Sequence, residues 1–138
     1  MRIILDTSVL LGPDPGLPDD ADVAISAMSL AELHFGVLVA STPQVRAERL
    51  RRVAVIEKTF DALPIDEAVA RAYGRLAAAV AAAGRQPRAR VADLLIAATA
   101  AAHGATLWTS NPTDVHGLGD LLEVRQPAPS SAPPSSPS

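Results

Sequence analysis

The sequence predicts an α/β domain of three layers, with helices on both faces of a mostly parallel sheet of about five short strands, and three observations carry that prediction. Short apolar runs bounded by turn residues alternate with longer helical segments. The helical segment from about Ala92 to His103 is apolar nearly all round, with Thr99 the only polar residue between Leu94 and Ala102, so it must be buried on most sides. Acids stand at the ends of predicted strands and in the first turns of predicted helices, which in a parallel α/β arrangement all lie at one edge of the sheet.

The strands are predicted over 2–5, 23–26, 62–65, 106–109 and 122–124. Thr7 or Ser8 can cap a first short turn that reaches Leu11 and is stopped by Gly12-Pro13, after which 12–22 reads as a loop. Ser29 opens a second helix toward Ala40. Thr42-Pro43, an N-cap followed by proline at the first helical position, starts a third helix to about Phe60. Asp66 caps a fourth, alanine-rich helix ending at Gly84, and Gly104 closes the fifth. Residues 1–125 are expected to form one folded domain. Residues 126–138, rich in Pro, Ser and Ala and without charge, are expected to be a disordered tail.

With 138 residues the chain can bury a core without staples, and it has no cysteine, which rules out disulfides, thiolate zinc sites and thiol nucleophiles. Met1-Arg2 leads directly to Asp6 without the apolar stretch of a secretory signal, and the apolar run from Leu94 to Ala102 is far shorter than the roughly 20 residues a membrane span needs, so a soluble cytoplasmic protein with no membrane partner is expected. The net charge of −3 argues against a generic nucleic-acid binder. Eleven of the twelve basic residues are arginine, bunched at Arg46, Arg49, Arg51 and Arg52 and again at Arg85, Arg88 and Arg90. Their forked contacts suit an RNA backbone or an acidic partner protein.

Four acids invite a chemical reading. Asp6 ends the apolar run Ile3-Ile4-Leu5; it could N-cap the short helix that follows, but Thr7 and Ser8 are equally able caps and would leave it free for other work. Glu32 could close a capping box with Ser29, but its flanks Leu30, Ala31, Leu33 and Phe35 suggest a half-buried face. Asp93 lies in the first turn of the most apolar helix, where an ionised carboxylate needs compensation from the helix N-terminus, from Arg88 or Arg90, or from a cation. Asp114 follows a Ser110-Asn111-Pro112 turn, and Asn111 competes with it as an oxygen donor. Carboxylates that meet at one sheet edge require a counter-charge, and an oxygen-only set suits a hard ion, Mg²⁺ or Mn²⁺. His34, His103 and His116 have no ligand spacing and read as structural.

Leu5-Asp6-Thr7-Ser8, Ser29-x-Ala31-Glu32-Leu33, the run Val91 to Ala98 and Leu107-Trp108-Thr109-Ser110-Asn111-x-x-Asp114 together resemble the PIN domain, specifically the VapC-type toxins of bacterial toxin-antitoxin pairs, over Met1 to about Val124. The resemblance implies an Mg²⁺- or Mn²⁺-dependent endoribonuclease. Asp6, Glu32, Asp93 and Asp114 would be its acidic residues, with Asp6 and Asp93 holding the ion, Glu32 positioning or deprotonating the water, and Asp114 or Asn111 orienting it. Thr7 or Ser8 would support Asp6 or a water at the ion, and Arg85, Arg88 and Arg90 would contact RNA phosphates. A cognate antitoxin and a homodimer are implied as well, the latter through the alanines of 77–83 or the helix face of 47–55. The last motif departs from the family pattern, with Val115 where phenylalanine is usual.

Two other chemistries fail on the residues. A phospho-aspartate phosphatase needs a second acid two places after the first, where Ser8 stands, and a receiver domain needs a late lysine, whereas Lys58 is the only one. An inactive PIN-like module that merely binds RNA or a partner is the remaining alternative.

Overall fold

The computed structural model describes residues 1–115 and 118–127, with the side chains of residues 113 and 114 outside that description. His116 and most of the expected tail therefore lie outside the described residues. Strands β1 (Arg2–Leu5), β2 (Asp22–Ser26), β3 (Asp61–Leu63), β4 (Thr106–Trp108) and β5 (Val124–Arg125) form one sheet in the order β3-β2-β1-β4-β5, with every pairing parallel. Parallel neighbours cannot be joined by tight turns, and α1 (Thr7–Leu10), α2 (Ala27–Leu38), α3 (Pro43–Thr59), α4 (Glu67–Ala82) and α5 (Val91–Ala102) occupy the crossovers. The α/β class and the parallel sheet expected from the sequence are thus borne out.

Period-two alternation along the strands builds two cores. Ile4, Ala24 and Leu107 face α4 and α5, where Val69, Leu76, Leu94 and Ile96 complete one cluster. Ile3, Leu5, Ile25 and Trp108 face the other way, onto Val9 of α1, Leu33 and Val37 of α2 and Val53 and Ile56 of α3. Central β1 is sealed between these layers, and Leu5 stands level with both Ile25 and Trp108, so three strands end together at one edge.

The caps explain where most helices begin. Thr42 Oγ1 accepts from the Val45 N–H at 3.1 Å with Pro43 in the first turn, and Asp66 Oδ1 accepts from the Val69 N–H at 3.0 Å. Gly84 and Gly104 take φ of 79° and 61°, which an L side chain rarely adopts. Several boundaries differ from the sequence reading. Helix α2 starts at Ala27, because Ser26 ends β2 and caps the helix at once, its Oγ accepting from the Met28 N–H. The third strand lies earlier than expected, the fifth falls at 124–125 because Leu122 is spent on the core, and a 3-10 turn, Pro87–Arg90, precedes α5.

Thr99 shows how the apolar helix tolerates its one hydroxyl. Fully buried, it donates back to the Leu95 carbonyl at 2.8 Å and lies 3.0 Å from Ser26 Oγ, tying α5 to the start of α2. Thr99→Val keeps the shape and removes both contacts, so an unfolding free-energy loss of about 1 kcal/mol is expected. A fall in the urea midpoint at constant slope would register it.

Candidate functional site

Asp6 is held at the carboxyl edge of the sheet from two directions. Its N–H donates to the Trp108 carbonyl at 2.8 Å, extending the β1–β4 ladder by one residue, and its side chain accepts three hydrogen bonds. Oδ1 takes the Thr7 N–H at 2.8 Å, while Oδ2 takes the Ser8 hydroxyl at 2.9 Å and the Thr109 hydroxyl at 2.8 Å. Asp6 itself is therefore the N-cap of α1, contrary to the expectation that Thr7 or Ser8 would cap it. Both hydroxyls are engaged elsewhere. Ser8 Oγ also accepts from the Ser110 N–H and Thr109 Oγ1 from the Asn111 N–H, so the loop after β4 is fastened to the start of α1 through Asp6.

Thr7 points to the second acid. Its Oγ1 donates to Glu32 Oε1 at 2.7 Å and lies 3.0 Å from the Oγ of fully buried Ser29. Ser29 is the third residue of α2 rather than its cap, so the capping box is not formed and Glu32 reaches across to α1 instead. Asp6 and Glu32 are thereby joined through one residue, Thr7, whose N–H serves the first carboxylate and whose hydroxyl serves the second.

Asp93 lies half-buried in the first turn of α5. Because that helix leads into β4 and packs against α2, its N-terminus sits at the edge where the strands end. Asp93, Arg85 and Arg90 each have interaction partners. Arg90 is the residue directly before α5, and Arg88 is exposed on the preceding 3-10 turn. The backbone of Asp114 belongs to the 3-10 turn Pro112–Val115, but its side chain lies outside the described residues; Asn111 is exposed. Among the described residues, no three His, Cys, Asp or Glu side chains approach closely enough to enclose a metal ion.

The donors present nonetheless suit a hard ion. Asp6 has three of its roughly four acceptor directions filled, leaving one, and Glu32 Oε2 makes no hydrogen bond among the described residues. Mg²⁺ uses few protein carboxylates and keeps much of its water, so a closed protein cage is not required. His34 Nε2 pairs with Glu57 Oε1 at 2.8 Å and His103 Nδ1 lies 3.4 Å from Arg2 Nη1, both structural placements as expected. Ser29 and Thr109 were not legible as site residues. The one available signal was Thr109 at a strand end level with Asp6.

Beside the acids runs a cleft of about 670 Å³, with Thr7, Glu32 and Gly36 on one wall and Glu48, Arg49 and Arg52 of α3 on the other. No helix among the described residues is long and apolar enough to cross a membrane.

Fold and site together define a parallel α/β domain that presents carboxylates from β1 and from the following helices at one sheet edge. The chain belongs to the PIN domain family, whose model matches residues 3–114. It is 39% identical over 117 residues to Ribonuclease VapC5 of Mycobacterium tuberculosis, covering 78% of this chain and 82% of that protein. With Ribonuclease VapC4 of the same organism it shares 37% identity over 115 residues, 80% of this chain and 86% of the relative. The crystal structure of VapBC-5, a member of the VapBC family of toxin-antitoxin systems from Mycobacterium tuberculosis, superposes with a TM-score of 0.77 at 36% identity, covering 91% of this chain and 96% of that one.

Proposed function

We propose that this protein is a divalent-metal-dependent endoribonuclease, the toxin of a toxin-antitoxin pair. The observation that carries the reading is the Asp6–Thr7–Glu32 linkage at the carboxyl edge of the sheet, in a chain whose relatives are named ribonucleases. Asp6 and Asp93 would hold Mg²⁺ or Mn²⁺, which when bound supplies positive charge to the phosphodiester and makes water a stronger nucleophile. Glu32 takes the water's proton on Oε2, its Oε1 being fixed by the Thr7 hydroxyl. Asp114 or Asn111 orients that water. Ser8 and Thr109 hold the Asp6 carboxylate still, and Arg85, Arg88 and Arg90, at the entry to α5, meet RNA phosphates.

A cognate antitoxin is the protein partner, since the structure this fold matches at 36% identity is that of a toxin-antitoxin system. A homodimer belongs to the same proposal. Two surfaces offer themselves for it: α3, where Leu50 and Val55 are exposed, and the exposed alanines Ala78, Ala81, Ala82 and Ala83, their neighbours Ala77 and Ala79 being packed on the core.

Incubation of total RNA with the protein in Mg²⁺ or Mn²⁺ should give discrete products that EDTA suppresses; no product across a wide range of metal and substrate would favour the inactive binding module. Metal binding has a readout of its own. At an ion concentration of 100 times its dissociation constant the native state gains about 2.7 kcal/mol, seen as a rise in melting temperature, and Asp93→Asn should lose that rise while still melting cooperatively.

A further inference from the structure

We infer that Arg49 and Arg52 form a phosphate-binding subsite that leads a single strand of RNA into the acidic edge, from a helix that contributes none of the carboxylates. The inference rests on the ribonuclease reading above. The last turn of α2 leaves carbonyl groups without helical partners. Phe35 O and Val37 O are met by the N–H groups of Val39 and Ala40, and Gly36 O accepts from Arg49 Nη1 at 2.7 Å. Arg52 Nη1 does the same for Leu11 O, at the C-cap of α1, at 2.8 Å. Each guanidinium thus spends one N–H of five on a neutral carbonyl and is fixed in place by it.

A neutral donor would have satisfied those carbonyls, so the two positive charges are surplus to the structural task. Among the described residues neither arginine makes an ion pair, although Glu48, one turn before Arg52, lines the same wall. Both arginines line the cleft that opens onto Thr7 and Glu32. They stand one helical turn apart on one face of α3, so two successive anionic groups of one chain can each take a guanidinium fork. RNA is the anion that the reaction requires to cross this edge, and arginine is the side chain best matched to its phosphates.

The test is the salt dependence of binding of a mixed-sequence 12-nucleotide single-stranded RNA, measured by fluorescence anisotropy on the full chain in an Asp6→Asn background with EDTA present, so that the RNA stays intact. Arg49→Gln with Arg52→Gln keeps amide donors for the two carbonyls and removes the charges. The slope of log affinity against log salt should then fall by about 1.4, at about 0.7 per lost contact to a single strand, and affinity at low salt should drop at least ~10-fold. Arg49→Lys with Arg52→Lys should restore the slope. An unchanged slope overturns the inference, as does an equal fall in the charge-matched pair Arg51→Gln with Arg71→Gln, which lies outside the cleft. Loss of binding to poly-L-glutamate with RNA binding unchanged would assign the pair to an acidic protein instead. Wild-type protein that cleaves RNA in Mg²⁺ while the variants bind normally defeats this subsite alone; wild-type protein that neither cleaves nor binds defeats the ribonuclease reading with it.

Discussion

Asp6→Asn should reduce metal-dependent RNA cleavage by ~100-fold or more while changing the unfolding free energy by no more than ~1 kcal/mol. The two effects separate because of what surrounds the side chain. An asparagine keeps one carbonyl oxygen for the Thr7 N–H, which preserves the cap of α1. Its amide nitrogen takes the place of Oδ2, opposite the hydroxyls of Ser8 and Thr109. Hydroxyl groups can accept as readily as donate, so both can turn their lone pairs to the new donor. What cannot be recovered is the charge. A neutral amide neither balances a divalent cation nor offers it a second oxygen, and the loss should appear in kcat with the melting curve nearly superimposable on the wild type. A variant that cleaves within a factor of a few of wild type would remove Asp6 from the machinery, and an unfolded variant would show that its capping role dominates.

How far the sequence could be read depended on whether a residue's role was settled locally or across the fold. Strand 2–5, the Thr42-Pro43 start of α3 and the Asp66 cap of α4 were legible because an apolar run or a cap acts within a few residues of itself. The capping role of Asp6 does not stand out from the sequence, because Thr7 and Ser8 are equally able caps by residue type. Their hydroxyls are taken by Glu32 and by Asp6 itself, partners that only the packing of α2 on α1 and of the β4 loop on both could reveal. Ser29-x-x-Glu32 had the form of a capping box, and the box failed because β2 runs into α2 without a loop, so Ser26 caps first and Ser29 is carried into the interior. Thr109 contributes a donor to Asp6 from 103 positions away, which no local pattern announces. The acids were readable as candidates by their apolar flanks; the hydroxyls that hold them were not.

Thr7→Val is the sharper probe of that hidden layer, because it deletes one hydroxyl and leaves the residue's shape and its N–H bond to Asp6 in place. Two side chains lose a partner at once. Glu32 loses the donor that fixes Oε1, and Ser29, with no solvent access, loses its neighbour at 3.0 Å. Leaving a buried hydroxyl unsatisfied costs about 1–3 kcal/mol, so a clear drop in the urea midpoint is expected. Removal of a partner that orients an active group typically costs about 10–100-fold in activity, and on the proposed role of Glu32 as proton acceptor the loss should fall on kcat with little change in KM, because Thr7 would then act through Glu32 and not on RNA capture. Thr7→Ser, which restores the hydroxyl without the methyl group, should recover most of both losses. If Thr7→Val were destabilised as expected yet kept the wild-type kcat, Thr7 would be a structural strut and Glu32 would need no orienting group. If kcat fell and serine failed to rescue it, the methyl contact rather than the hydroxyl would be the working part of the linkage.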